Sequence, residues 1–245
     1  MRWIYLSPHL DDAVFSAGGL IYDQVRAGLP VELWTFMCGY VPEEDVSPFA
    51  QLIHTQWGFS SAEETVRMRR EEDKSAAAIL GAEAVHFDFP DCIYRRGADA
   101  EWLYSDVSVP PHPEDAPLPS QIAQAISARL QPDDALVCQL SLGSHVDHVL
   151  VRQGAELLGR PLLYDLDVPY VLYHPEELKP KSAGMRESAH PITGTGLDRW
   201  KEAALAYKSQ IVGLGEVFNT PEIVRASIQA YWAGQGGGIR LLQKG

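Results

Sequence analysis

The stretch Ser7-Pro8-His9-Leu10-Asp11-Asp12 constrains this chain more than any other. Ahead of it, Trp3-Ile4-Tyr5-Leu6 has the aromatic and branched composition of a short buried strand. Behind it, Val14, Gly18, Ile21 and Val25 recur at helical spacing, and Gly28 closes the run before Pro30. One histidine and two carboxylates therefore sit where a first strand hands over to a first helix. In open α/β sheets the carboxyl ends of the strands are where ligands bind.

The alternation continues. Residues 31–37 read as a second strand, 62–80 as a long helix stopped by Gly81, and 84–89 as a third strand. Strand, helix, strand, helix, strand implies a parallel sheet with helices on its faces. Residues 39–61 and the proline-containing stretch 90–117 read as loops. A helix over 118–130, a strand over 135–140, a turn over 143–148 and a helix over 149–158 follow. Residues 162–164 and 168–172 are expected as short strands and 174–197 as a second long loop. Helices are expected over 197–207, 209–214 and 221–232, with Gly236-Gly237-Gly238 loosening the end. The reading is an α/β fold in a single domain over residues 1–245.

A chain of 245 residues with 46% hydrophobic content can bury one substantial core. A net charge of −13 counts against nucleic acid and anionic membranes as partners, since both need a basic face. Cys38, Cys92 and Cys138 lie far apart with no Cys-x-x-Cys pair, so neither a disulfide framework nor a zinc–thiolate site is expected. No apolar run approaches the ~20 residues of a membrane span, and the first residues lack a signal-peptide apolar core. These features predict a cytoplasmic protein with a small-molecule substrate. They leave self-association into a homo-oligomer open.

A second burst of chemistry stands at Gly143-Ser144-His145-Val146-Asp147-His148, again just past a hydrophobic strand. Neighbouring strand ends in a parallel sheet bring their turns together. A catalytic zinc site wants three nitrogen or oxygen ligands and an open position for water. His9 and Asp12, three apart at a helix start, face one point, and His148 completes a two-His, one-carboxylate set. Such a set also accepts iron, cobalt or manganese. Asp11 cannot point the same way as both flanking ligands, which leaves it to accept a proton from the attacking water. His145, one turn before His148, is placed to stabilise an oxyanion or protonate a leaving nitrogen as an imidazolium. Asp147 is expected to orient a histidine.

Pro8-His9-Leu10-Asp11-Asp12 with Gly18-Gly19 after it, and His145-Val146-Asp147-His148, resemble the two motifs of the LmbE/PIG-L family of metal-dependent N-deacetylases. The helix Arg69-Arg70-Glu71-Glu72-Asp73, running to Leu80-Gly81, and Pro90-Asp91-Cys92-Ile93-Tyr94-Arg95 are similar to two further family segments. The resemblance covers about residues 3–165. It implies a Rossmann-like three-layer sandwich with a mostly parallel sheet, and zinc on His9, Asp12 and His148. It also implies Asp11 as general base, and His145, supported by Asp147, as acid or electrostatic group. The activity implied is removal of an N-acetyl group from a small polar substrate such as an N-acetylglucosaminyl compound. The alternatives are a metal-dependent hydratase of an unsaturated acid and a non-catalytic binding protein. Some sugar deacetylases of that family carry Tyr where this chain has Gly143. The oxyanion is then left to the metal and His145, or to Tyr94, Tyr170 or a backbone amide.

Three regions remain as candidate substrate contacts. Arg69 and Arg70 offer a guanidinium for a hydroxyl or carboxylate, or form a solvated helix face with Glu71, Glu72 and Asp73. Tyr94 and Arg95 stand in a loop where aromatic residues can stack on sugars, and Asp165 follows a later strand where it can contact His145 or substrate. His112, His174 and His190 lie beside prolines without ligand spacing.

Overall fold

The computed structural model describes residues 1–42, 46–212, 216 and 218–245. Five parallel strands, β1 (Trp3–Ser7), β2 (Val31–Thr35), β3 (Glu83–His86), β4 (Ala135–Gln139) and β5 (Leu162–Asp165), form most of one sheet. Two further strands, β6 (Met185–Pro191) and β7 (Gly238–Lys244), complete the order β3-β2-β1-β4-β5-β7-β6. β7 runs antiparallel to β5, and β6 antiparallel to β7. The chain adds strands outward from β1 as far as β3, then returns to lay β4 on the other side of β1. Trp3 pairs with Val31 on one flank and with Ala135 on the other. The reversal opens a crevice between the carboxyl ends of β1 and β4, and both polar motifs emerge there.

Helix α1 (Asp12–Arg26) follows β1, α2 (Pro48–Trp57) and α3 (Ala62–Leu80) precede β3, and α4 (Leu118–Ser127) precedes β4. Helix α5 (Val146–Glu156) follows β4, and the one-turn α6 (Tyr170–Tyr173) and α7 (Pro175–Lys181) follow β5. The chain ends with α8 (Gly194–Ala204), α9 (Lys208–Ile211), α10 (Pro221–Gly234) and β7. α1, α3 and α8 pack as one layer, and α4 with α5 as another. Ile4, Leu6, Val14, Ile21, Leu33, Leu136 and Leu150, each at most 2% exposed, fill the space between helices and sheet. The pair Gly18-Gly19 brings α8 close to α1. A Cβ at Gly18 would lie 2.5 Å from Trp200 Cδ1, and one at Gly19 would lie 2.8 Å from Ile192 Cγ2.

Several expectations change. The stretch 39–61 is not all loop: Ser47 caps α2 by accepting from Ala50 N at 2.8 Å, Pro48 occupies its first turn, and Gly58 ends it. Residues 168–172 are a turn and α6 rather than a strand, because Pro169 supplies no ladder donor. The stretch 174–197 holds α7, β6 and the start of α8. β6 reads Met-Arg-Glu-Ser-Ala-His-Pro and is largely exposed, so its strand state comes from pairing with β7 rather than from an apolar pattern. The glycine triplet leads into β7 instead of loosening the end. The helix after β4 begins at Val146, three residues earlier than expected, which puts His148 on a rigid helix. Of the helix expected over 209–214, α9 covers the first part, and Gly213 and Leu214 lie outside the described residues. No helix among the described residues is long and apolar enough to cross a membrane.

Candidate active site

At the β1 end the backbone is tied by its own side chains. Ser7 Oγ donates to His9 O at 2.6 Å and accepts from Ala13 N at 3.1 Å. Asp12, the first helical residue of α1, accepts from His9 N at 2.7 Å. A carboxylate there also gains from the helix dipole. Asp11 takes the N-cap position, yet its side chain makes no capping bond. At the β4 end, Ser141, Gly143 and Ser144 all have positive φ, and His145 is the N-cap of α5, with Nδ1 accepting from Asp147 N at 3.2 Å. This tight loop is clamped from outside by α7. Glu177 accepts from Gly143 N at 3.1 Å, and Lys181 donates to Ser141 O and to Ser144 Oγ.

The two turns bring the Asp12 carboxylate up to both imidazoles. Asp12 Oδ2 lies 3.4 Å from His9 Nδ1 and 3.4 Å from His148 Nε2. A tetrahedral ion with bonds of ~2.0–2.1 Å needs its donors about 3.3–3.4 Å apart. The far nitrogen of each imidazole is held by a carboxylate: His9 Nε2 by Asp147 Oδ2 at 3.1 Å, and His148 Nδ1 by Asp167 Oδ1 at 3.3 Å. Carboxylate–histidine–metal chains have this form. His148 Nε2 is buried with no hydrogen-bond partner among the described residues. A buried nitrogen left bare is costly unless a ligand takes it. One nitrogen each of His9, His145 and His148 also lie within 4.8 Å of one another. The residues fit a divalent ion.

A cavity opens beside these donors. It is lined by His9, Asp11, Asp12, Asp91, Arg69 and His145, and by the apolar groups Phe15, Ile53, Trp57, Ile93, Val107 and Pro169, with Gln56, Tyr170 and Gln210 among them. Burial, and after it the charge of Asp12, pushes the Asp11 carboxyl up to about 7, against the pull of Arg69, His9 and His148. Burial opposes the ionised form of Asp12, but His148 and His9 hold its carboxyl low. Burial, then His9 and His148, pushes His145 well below the usual histidine range. With Nδ1 accepting a backbone N–H, the hydrogen-bond pattern assigns the His145 proton to Nε2. Where the sequence led to an imidazolium, burial and the two neighbouring imidazoles favour the neutral ring, which donates through Nε2–H.

Asp147 sits differently from expectation. Its carboxylate supports His9, not His145: Oδ2 faces His9 and accepts from Cys92 N at 3.0 Å, and Oδ1 takes Arg95 Nη1 at 2.6 Å. Burial works against that charge, yet Arg95 and His9 hold the carboxyl well below the ordinary range. Arg69 lies in the cavity wall. Its guanidinium carbon is 4.4 Å from the centroid of Trp57, and its nearest carboxylates, Asp11 and Asp91, are each 3.9 Å away. Its Nε is buried without a partner among the described residues, so the fork has capacity for a ligand.

The other expected contacts do not line the cavity. Arg70 turns outward to Cys38 O at 2.8 Å and Asp88 Oδ1 at 2.6 Å. The Tyr94 hydroxyl meets His54 Nε2 at 2.6 Å. Arg95 is enclosed between Asp147 and Asp115. Asp165 is buried at the end of β5, accepting from Asp167 N at 3.0 Å, where burial and Asp167 push its carboxyl well up. Of the groups offered from the sequence for the oxyanion, Tyr170 lines the cavity and Tyr94 does not; sequence reasoning gave no role to Asp91, Asp167 or the α2 face of Ile53, Gln56 and Trp57. Ser47-Pro48 and Gly58 are helix signals that mark α2. Asp167 carried no comparable signal.

The PIG-L family, described as GlcNAc-PI de-N-acetylase, matches residues 4–157. This chain belongs to that family. It is 25% identical to a 2'-N-acetylparomamine deacetylase of Niallia circulans, over 86% of this chain and 82% of that protein. Its fold superposes on the zinc-inhibited form of a teicoplanin deacetylase with a TM-score of 0.84 and 27% identity, covering 99% of this chain and 97% of the other. A 4-carboxy-2-hydroxymuconate hydratase from Pseudomonas putida shares the fold alone, with a TM-score of 0.60 and 18% identity over 99% of this chain and 95% of that one.

Proposed function

We propose that this PIG-L family chain is a metal-dependent N-deacetylase that hydrolyses the acetamide of an N-acetylated amino sugar. The carrying observation is that Asp12 Oδ2 lies 3.4 Å from both His9 Nδ1 and the unpartnered His148 Nε2, beside an uncapped Asp11. His9, Asp12 and His148 would hold the ion, with zinc as the proposed metal and iron or another divalent ion as substitutes. When bound, the ion supplies Lewis acidity and lowers the pKa of water at its open position.

The chain's own groups do the rest. Asp11 accepts a proton as water attacks the acyl carbon. The Nε2–H of His145 donates to the acyl oxygen as it gains charge. Arg69 takes a substrate hydroxyl or carboxylate with its open fork. Asp11 then returns its proton to the departing nitrogen, the C–N bond breaks, and acetic acid and the amine leave, the acid passing its proton to the amine or to solvent. The apolar wall of Ile53, Trp57, Ile93 and Val107 grips the substrate and thins the water around the reacting bond. The reading takes residues 1–245 as one catalytic domain acting in the cytoplasm on a small molecule.

Metal analysis of the purified protein, coupled to an amine-release screen over N-acetylated amino sugars, tests this. About one equivalent of metal and amine release that a chelator abolishes and zinc restores are expected. Absence of metal with His9, Asp12 and His148 intact, or release indifferent to the chelator, overturns it. The hydratase reading uses the same donors, and hydration of an unsaturated acid without any amine release would favour it.

A further inference from the structure

Tyr170 opens α6 and forms part of the cavity wall. Its ring is wedged. On one side it lies on the backbone of Gly143, where a Cβ would come within 2.3 Å of Tyr170 Cδ1. Gly143 also has φ +72°, so the position excludes a side chain twice over. On the other side the ring stands edge-on to the His148 imidazole, with centroids 5.2 Å apart and planes at 79°. The polar tip is the part left free: its hydroxyl makes no hydrogen bond among the described residues. Four other tyrosine hydroxyls are taken up by a side chain. Tyr5 donates to Gln24, Tyr104 to Asp115, Tyr164 to Glu156 and Tyr207 to Asp73. A ring locked from two sides with an idle hydroxyl in the cavity is a preorganised donor.

We propose that Tyr170 is a further catalytic residue of the deacetylase proposed above, donating its hydroxyl hydrogen bond to the acyl oxygen as that oxygen becomes an anion. The inference rests on that activity. Its neighbours fix the target. Packing on His148 puts the ring at the metal-holding end of the cavity, on the wall shared with Pro169 and His145. The other polar groups of the cavity include the acceptors Asp11, Asp12 and Asp91 and the donors His145 and Arg69, the guanidinium of Arg69 lying 3.9 Å from Asp11 and from Asp91. An acyl oxygen gaining charge there needs donors, and Tyr170 adds one to that of His145. No new bond forms through Tyr170: the proton stays on its oxygen while the acyl carbon passes through its tetrahedral state.

Tyr170→Phe keeps the ring over Gly143 and removes the hydroxyl. Metal content and Tm are expected to match the unaltered protein, KM to stay within about threefold, and kcat to fall ~10²-fold or more. Affinity for a methylphosphonamidate analogue of the acetamide, which is tetrahedral and anionic, should fall by a similar factor, while affinity for the amine product holds. Unchanged kcat and analogue affinity overturn the proposal, and so does a loss confined to KM. Release of amine by the unaltered protein is the control that separates the two readings. If the unaltered protein is inactive, both fall. If it is active and the variant equals it, only the role of Tyr170 falls.

Discussion

The turns after β1 and β4 are built alike and used differently. Each places a titratable residue at the N-cap of the next helix. His145 spends its Nδ1 on capping α5, which fixes the tautomer and aims Nε2–H elsewhere. Asp11 makes no such bond, and its carboxyl stays high with nothing tying it to the helix. The first turn is tied from within, by Ser7 and Asp12. The second needs three positive-φ residues and a clamp from α7, because it must turn tightly beneath Tyr170. A capping position can therefore fix a titratable side chain or leave it free, according to whether that side chain bonds the helix.

The largest expected effect is on the donor set both turns share. His148→Ala should weaken metal binding by more than ~10²-fold and abolish amine release. Asp167→Asn, which loosens only the far nitrogen of His148, should cost about 10–100-fold in metal affinity. Competition against a zinc-binding dye measures both. Equal affinities in the two variants would mean that Asp167 does not orient the imidazole.

Next comes the uncapped side of the comparison. Asp11→Ser should lower amine release by ~10²–10⁴-fold with metal retained. Its Tm should stay level or rise, since a buried carboxyl is replaced by a residue able to cap α1. A clear drop in Tm would show that the Asp11 carboxylate supports the fold and is not held in reserve.

The capped side separates into its two duties. His145→Asn keeps a capping side chain and loses the imidazole donor, so amine release should fall about 10²–10³-fold with little change in stability. His145→Ala should match that loss and cost about 1 kcal/mol more in urea unfolding. If Asn restored activity, orientation of α5 would be the only role of His145.

The smallest effect is at an ordinary carboxylate away from both turns. Arg2 pairs with Asp134 at 2.6 Å. Burial opposes the Asp134 charge, but Arg2 and the Gln131 N–H hold its carboxyl below the usual range. A group lowered on folding stabilises the fold above its unfolded pKa of ~4 and loses that contribution as pH falls through the folded value. The urea midpoints of the unaltered protein and Asp134→Asn should therefore differ at pH 7 and draw together as pH falls below the unfolded value of ~4. A gap that stays constant with pH would rule out the pairing as its source.

What could be read from the chain alone was local. Strand, polar turn and helix around Ser7–Asp12 follow from composition and spacing within some twenty residues. The same holds for α3, whose predicted span is the observed one, Ala62–Leu80. The donors proposed here, His9, Asp12 and His148, stood out in the chain because each sits just past an apolar strand, and parallel neighbours must align their carboxyl ends. Tertiary structure decided everything that depends on residues far apart. β6 is a strand only because β7 lies beside it. Asp147 serves His9, 138 residues away, rather than the adjacent His145. Asp167 reaches His148 from beyond β5, and Trp57 meets Arg69 only once α2 lies against α3. The opening stretch supplies half of a site, and the fold supplies the other half. Spacing along a chain limits which groups can face one point, but burial and packing settle which partner each group keeps, and so which proton or lone pair is left for chemistry.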